Sequence, residues 1–190
     1  MRPLKEDFFD NLGIGIEAEK EQIKNWLEQH RIRYYHITDD LIINVNGGID
    51  LSGYKEEYLP DFIQFGEVLG YFDISYCKNL KSLKGCPEYV GKNFMCNYCH
   101  YLETMEYTPN YVGCDIWFNS CRALKSLKGL PNKINGDLYF NDCPNIKSID
   151  GIPSTITGSL FCKHCGKKFM KKDIKKICNV GKKIDNWWKI

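Results

Sequence analysis

The sequence predicts a solenoid, in which one short structural unit is stacked repeatedly along an axis. Its main signal is a step of 22 residues between successive members of a cysteine column: Cys77, Cys99, Cys121, Cys143 and Cys165. Two other columns keep the same step: Val68, Val90, Val112, Ile134 and Ile156, and Pro87, Pro109, Pro131 and Pro153. Independent columns in one register indicate that residues 43–169 contain about five copies of one motif.

Apolar residues alternate with polar or exposed positions just before each cysteine. The alternating pairs are Phe72/Ile74, Phe94/Cys96, Ile116/Phe118, Leu138/Phe140 and Leu160/Cys162. This period of two predicts a short strand with one buried face in every coil. A glycine, an apolar residue and a proline then turn the chain back. Because 22 residues leave little room for a helix, we expect packed parallel strands on the inner side and irregular or 3-10 segments on the outer side.

Both ends of the repeat need a cap, because a single coil cannot bury its own apolar edges. At the N-terminal end, Ile23, Trp26, Leu27 and His30 follow the spacing of an amphipathic helix. Alternation at 41–45 then leads into a degenerate first repeat, in which Tyr54 replaces the cysteine. At the other end, apolar residues at 174–178 among lysines indicate a short helix. We therefore divide the chain into an N-terminal cap (1–46), a solenoid (47–169) and a basic C-terminal cap (170–190).

The repeat resembles a leucine-rich repeat of the α/β horseshoe class, with cysteine at a position where that family has Asn or Cys. The Leu-Pro turn is similar to short bacterial repeats of secreted effectors, and the resemblance covers residues 43–169. The stretches IKNWLEQHRIRYYHITDDLIINVNGGIDLS and IQFGEVLGYFDIS resemble short repeat proteins of tailed bacteriophages and low-GC bacteria. The ubiquitin-ligase domain that often follows the effector repeats has no counterpart here, and we do not expect that activity.

Composition places the chain among ordinary soluble proteins, with 43% hydrophobic and 26% charged residues. No apolar run reaches the roughly 18 residues of a membrane span. The start, MRPLKEDFFDNLG, lacks the pattern of a signal peptide, so we expect a cytoplasmic protein with reduced thiols. Charge is uneven: ten lysines and two aspartates give residues 163–190 a formal charge of +8, which leaves −6 for residues 1–162.

Two Cys-x-x-Cys pairs raise the possibility of a zinc or redox site: Cys96/Cys99 beside His100, and Cys162/Cys165 beside His164. The pairs coincide with the strand and cysteine columns, which favours packing of free thiols in the core. They also lie three coils apart, about 14 Å at the usual strand spacing, too far for one tetrahedral site. We expect no metal and no cofactor. No nucleotide-binding glycine motif is present, and Ser82, Ser126 and Ser148 share a repeat column with Thr104, so we do not expect an enzyme.

The residues between the buried strand positions are predicted to form a surface that binds a partner. Four consecutive coils place Met95, Trp117, Tyr139 and Phe161 in one line. Together with their neighbours, the candidate binding residues are Tyr71, Asp73, Tyr76, Met95, Tyr98, Asp115, Trp117, Asp137, Tyr139 and Phe161. Aromatic residues are typical of interface hot spots, and the aspartates favour a partner with basic residues. The alternative interpretation is aromatic stacking that stabilises the sheet without a partner.

These observations favour a non-enzymatic protein-binding module. The resemblance to bacteriophage proteins implies, more specifically, an inhibitor of a host defence protein that works in the host bacterial cytoplasm. The alternative is nucleic-acid binding through the lysine-rich C-terminal segment, with Trp187 and Trp188 available to stack on bases. The acidic body would repel phosphate, which argues for the first interpretation.

Overall fold

The protein folds as a β-solenoid of about six turns in a computed structural model that describes residues 14–166 and 169–186. Each turn is one coil of roughly 22 residues, and the coils stack so that equivalent strands pair in parallel. A continuous cluster of buried apolar side chains runs through the stack. The expectations for the N-terminal sequence MRPLKEDFFDNLG and for Trp187 and Trp188 fall outside the described residues.

The described residues form two helices: α1 (Ile14–Gln29) precedes the coils, and α2 (Lys171–Ile177) lies within the last coil, before its two strands. The N-terminal amphipathic helix that the sequence predicts is confirmed, since Ile23, Trp26 and Leu27 are buried on one face of α1. The ring of Trp26 lies 6.4 Å from that of Phe65 and stacks on His30 at 4.0 Å, so the helix joins the solenoid core. Whether the two helices act as caps stays a prediction.

The predicted strands lie in one parallel sheet with seven members, here called the front sheet, which also contains a last strand that was not predicted. Its members are β3 (Ile49–Asp50), β5 (Phe72–Asp73), β7 (Phe94–Met95), β9 (Ile116–Trp117), β11 (Leu138–Tyr139), β13 (Leu160–Phe161) and the unpredicted β15 (Ile184–Asp185). From β5 to β13 each residue pairs with the residue one repeat later, as Leu138 does with Leu160. The first residue of each of these strands is buried.

A second row of strands lies on another side of the coils; the alternation at 41–45 predicted its strand at Ile43–Val45, but the sequence analysis did not predict the row. Five strands form one sheet: β1 (Tyr35–Ile37), β2 (Ile43–Val45), β4 (Phe65–Val68), β6 (Tyr89–Val90) and β8 (Tyr111–Val112). Three form another: β10 (Lys133–Ile134), β12 (Thr155–Ile156) and β14 (Asn179–Val180). Strands of mostly two residues are too short to show alternation, so only the valine and isoleucine column marked them. Turns and extended chain complete the coils, without 3-10 helix in the described residues.

The solenoid continues beyond Phe169, where the sequence repeat ends. Strand β14 pairs with β12, and β15 pairs with β13, both in parallel. The short helix predicted here is present as α2, and Ile174 on it is fully buried. This coil has no proline column and is rich in lysine, which hid its strands from the repeat analysis.

A ladder of buried thiols ties each coil to the one before it. Each repeat-column cysteine directs its Sγ to the carbonyl of the second buried strand residue in the preceding coil. The Sγ–O distances are 3.2 Å for Cys99 to Ile74, 3.0 Å for Cys121 to Cys96, 3.1 Å for Cys143 to Phe118 and 3.3 Å for Cys165 to Phe140. The thiol therefore fills apolar space and satisfies a buried carbonyl, which explains why one residue type recurs.

Replacing Cys121 tests this ladder. We expect Cys121→Ala to cost about 1–2 kcal/mol, because it removes a donor from the Cys96 carbonyl and leaves a small cavity. Cys121→Asp should prevent folding at ordinary temperature, because the carboxylate would be buried without a partner cation. Thermal melting followed by circular dichroism measures both effects. Equal tolerance of the two substitutions would show that the cysteine column is not buried.

Buried thiols also predict a loss of stability at alkaline pH. Burial raises the pKa of Cys162 and of Cys165 to about 12, so both stay neutral in the fold while an unfolded thiol ionises near pH 8.5. The unfolded chain then holds fewer protons, and stability falls as pH rises through the interval between these values, by up to about 1.4 kcal/mol per pH unit for each thiol.

Urea denaturation at several pH values between 8 and 11 would measure this slope. Cys143→Ala should make the slope shallower, because burial also raises the pKa of the Cys143 thiol. Cys114→Ala is the matched control, since Cys114 is exposed and should leave the slope unchanged. A stability that does not vary with pH in this interval would contradict the burial of neutral thiols at Cys143, Cys162 and Cys165.

Candidate functional site

The outward side chains of the front sheet align as the sequence predicts, and we call Met95, Trp117, Tyr139 and Phe161 the aromatic row. Neighbouring members are paired across adjacent parallel strands. The rings of Tyr139 and Phe161 stack with centroids 4.4 Å apart and planes within 1°. Trp117 meets Tyr139 edge to face at 5.4 Å. The row is thus one continuous strip rather than four separate side chains.

The aromatic row is only partly exposed, because its members cover one another. In the stacked pair the ring faces are in contact, which leaves the ring edges directed away from the sheet. The indole nitrogen of Trp117 is inaccessible, and no hydrogen-bond acceptor reaches it from any residue that the structure describes. Sheet stabilisation by stacking, the alternative interpretation, is therefore part of what this row does.

A second row, parallel to the first, contains Asn93, Asp115 and Asp137, and we call it the acidic row. Each side chain accepts a hydrogen bond from the backbone N–H one coil later. The distances are 3.1 Å from Asp115 to Asn93, 2.7 Å from Asp137 to Asp115 and 2.6 Å from Ser159 to Asp137. The carboxylates therefore fix the register of the coils as well as placing negative charge beside the aromatic row.

Glycine accompanies this carboxylate ladder for a steric reason. A Cβ on Gly158 would lie 2.1 Å from the Oδ1 of Asp137, and one on Gly136 would lie 2.2 Å from that of Asp115. Asp137 also accepts a hydrogen bond of 2.9 Å from the Tyr139 hydroxyl through Oδ2. Burial, Asp137 and Asp115 together raise the pKa of Tyr139 to about 12, as expected where the local potential is negative.

On the other side of the aromatic row lies a ladder that the sequence analysis placed among outward positions. Asn97, Asn119 and Asn141 stack as an amide ladder: the Oδ1 of each accepts the backbone N–H one coil later, at 3.0 Å for Asn119, 3.0 Å for Asn141 and 2.8 Å for Lys163. Ser75 begins the ladder by accepting from the Asn97 N–H at 3.0 Å. The side chains of these residues accept hydrogen bonds from the backbone of the next coil, beside the aromatic row. Their recurrence at the repeat step was the signal that could have revealed this role.

In each coil, the residue that follows the amide-ladder position adopts a left-handed backbone conformation. Its φ is +72° at Gly53, +60° at Tyr76, +59° at Tyr98, +58° at Ser120, +57° at Asp142 and +53° at His164. From Gly53 to Asp142, the N–H at this position donates to a carbonyl of the following coil, as from Tyr98 to Asn119 at 2.8 Å. Tyr76 and Tyr98 stack at 4.8 Å and are 56% and 41% exposed, so they border the front sheet as expected.

The remaining candidates lie at the N-terminal end of the row. Tyr71 is exposed, and its ring fills the space beside Gly48, where an added Cβ would lie 2.5 Å away. Asp73 precedes Met95 in the row of outward positions and accepts the Ser75 N–H at 2.8 Å. All ten predicted residues therefore lie on one side of the solenoid, and the aromatic row is at the centre of that side.

The two Cys-x-x-Cys pairs are buried at strand and cysteine positions, as the repeat columns predict. Burial raises the pKa of the Cys96 thiol and of its counterpart Cys162. Within residues 14–166 and 169–186, no group of three or more His, Cys, Asp or Glu is arranged to hold a metal ion. Burial therefore favours the neutral thiol form of Cys96 and Cys162 at neutral pH.

The lysine-rich C-terminal coil gives the front sheet a positive end. Asp185 follows Phe161 in the row and is almost fully buried, with Lys163 at 3.1 Å and Lys183 at 3.0 Å. Burial opposes ionisation of Asp185, but the two ammonium groups hold its pKa below the ordinary value. Further lysines are exposed around this coil: Lys171, Lys172, Lys175, Lys176 and Lys182.

A tyrosine replaces glycine in one turn column on another side of the coils. Gly85, Gly129 and Gly151 have positive φ, and Tyr107 takes the same conformation at φ +65° while 59% exposed. Tyr107 lies beside Lys84 between two open depressions. The sequence analysis missed this residue, although a break in a glycine column was visible. The mixed charges around it indicate no ligand class.

Neither described helix has the length and apolar character that a membrane crossing requires. Comparison of the chain with protein-family models, curated protein sequences and solved structures finds no match.

Proposed function

We propose that this protein is a non-enzymatic binding module whose front sheet contacts a protein partner. The observation that carries the proposal is the aromatic row, a strip of four large apolar side chains that remains partly accessible across four coils. A sheet face that served only solubility would present charged and polar residues. Aromatic residues and methionine at the centre, with polar rows on both sides, resemble the composition of a protein interface.

Charge supports a partner with basic residues. Asp73, Asp115 and Asp137 lie along the same side of the sheet, and the described chain places no lysine or arginine in an ion pair with any of them. Their carboxylates accept backbone N–H groups but keep their negative charge. Complementary potential of this kind speeds association and selects among partners.

The resemblance to leucine-rich repeats and to bacteriophage repeat proteins extends this proposal. We propose that the chain belongs to the horseshoe class with helical caps, and that it binds and inhibits a host defence protein in the bacterial cytoplasm. The support is the recurring cysteine register, together with the N-terminal stretches that resemble those proteins.

A second candidate function is nucleic-acid binding by the C-terminal coil. It is favoured by one observation: Lys171, Lys172, Lys175 and Lys182 are exposed and form no ion pair with a described residue. Binding of this type would weaken steeply with salt, whereas contact through the aromatic row would weaken little.

Affinity capture with matched variants tests the first candidate. The parent protein, Tyr139→Ala and Tyr111→Ala would each be used to capture proteins from a bacterial lysate, at low and high salt. Tyr111 is the control, because it is 44% exposed and stacks on Tyr89 in a different sheet. We expect a protein held by the parent and by Tyr111→Ala, but about thirtyfold more weakly by Tyr139→Ala, since truncating a central aromatic costs about 2 kcal/mol.

Circular dichroism and melting must first show that Tyr139→Ala folds, and Trp117→Ala provides a second variant of the same row. If both fold and retain the captured protein as well as the parent does, the front sheet is not the interface. Capture of nucleic acid that disappears at high salt would instead support the C-terminal coil.

A further inference from the structure

The spacing of the front sheet limits what can lie along it. The aromatic row places one side chain on each coil, and stacked rings on the two sides of the solenoid repeat at 4.4, 4.7 and 4.8 Å. Three intervals between Met95 and Phe161 therefore span about 14 Å at the usual strand spacing. A partner that contacts every coil must present side chains at nearly the same interval.

Among regular elements, an α-helix fits this interval and an extended strand does not. One helical turn advances about 5.4 Å, so three turns span about 16 Å, within about 2 Å of the row. Side chains on one face of a strand are about 6.6 Å apart, so three steps span about 20 Å and miss the row by more than one coil. A helix parallel to the solenoid axis can place one residue per turn over each coil.

The acidic row fixes the composition of such a helix. Asp115 and Asp137 lie two residues before Trp117 and Tyr139, which puts the acidic row about 6.6 Å to one side of the aromatic row. On the other side, the amide ladder is neutral through Asn119 and Asn141. Basic residues of the partner helix would therefore face negative charge only on the flank of its apolar stripe that lies over the acidic row.

The ends of the row differ in charge, which favours one direction. Asp50 and Asp73 occupy the row before Met95, whereas Lys163 and Lys183 surround Asp185 after Phe161. Two lysines around one buried carboxylate leave a net positive charge at that end. A helix has a positive N-terminus and a negative C-terminus, so the favourable direction puts its N-terminus near Asp73.

We infer that the front sheet binds an amphipathic α-helix of its partner, which lies along the solenoid axis with an apolar stripe on the aromatic row and basic residues over the acidic row. The inference rests on the proposed function, since it names the kind of partner segment that the same surface takes. The helix has its N-terminus towards Asp73, contacts four coils and needs about three turns, or about 12 residues.

Selection from a displayed library of random peptides of about 16 residues would test this inference even while the natural partner is unidentified. The library would be selected on the parent protein and counter-selected on folded Tyr139→Ala. We expect enriched peptides to repeat apolar residues at i, i+4, i+7 and i+11, with lysine or arginine on one flank. In solution their helicity should rise on binding, which circular dichroism of the mixture measures.

Asp115→Asn and Asp137→Asn would then test the charge assignment, because an amide Oδ1 can still accept the backbone N–H of the ladder. We expect the double variant to bind the enriched peptides about tenfold more weakly, and Tyr111→Ala to bind them as the parent does. Enriched peptides that depend on Tyr139 but alternate with period two, contain proline or are acidic would contradict the inference of a basic amphipathic helix. The proposal that the front sheet is a binding surface would still stand. Peptides that bind the parent and Tyr139→Ala equally would contradict both the helix inference and the proposed binding surface.

Discussion

The structure depends on side chains that hydrogen-bond to the backbone of the neighbouring coil. Backbone hydrogen bonds join neighbouring coils within and beside the two-residue strands, but other N–H and C=O groups of each coil are bonded by side chains instead. The cysteine, carboxylate and amide ladders make these side-chain bonds: the thiol of Cys121 donates to one carbonyl, while Asp115 and Asn119 accept N–H groups. Because each tie links one coil to the next, a slip of one residue would break all three ladders. Register is therefore set by side-chain chemistry as well as by burial.

The same ladders explain how an apolar strip can remain on the surface. Backbone groups on both sides of the aromatic row are already bonded, so the rings stand on a fixed base at the strand spacing. Stacking between Tyr139 and Phe161 then covers the ring faces and leaves the edges for a partner. Residues that stabilise the sheet thus also preorganise the binding surface, which lowers the entropy lost on association.

The sequence was sufficient for the solenoid, its main strands and the aromatic row, because all three depend on periodic burial. Cys99 and Cys121 at one repeat position predicted a buried column, and Trp117 between two buried residues predicted an outward position. The second row of strands escaped prediction because pairs such as Tyr89–Val90 acquire strand character only when coils stack. The amide ladder escaped because Asn97 looks polar in sequence, while its burial and its acceptor role are tertiary properties. The left-handed tyrosines and the strands of the last coil had no local pattern, although the helix of that coil was predicted.

Amide hydrogen exchange measured residue by residue by NMR tests the central claim, that side-chain ladders hold the coils in register. The backbone N–H groups of Asn119, Asn141 and Lys163 point to side-chain oxygens of the preceding coil and lie outside the strands. The account predicts that they exchange as slowly as the strand amide of Leu138, through the same cooperative opening. Exchange at the rate of free, solvent-exposed amides at these three positions, with slow exchange at Leu138, would contradict it.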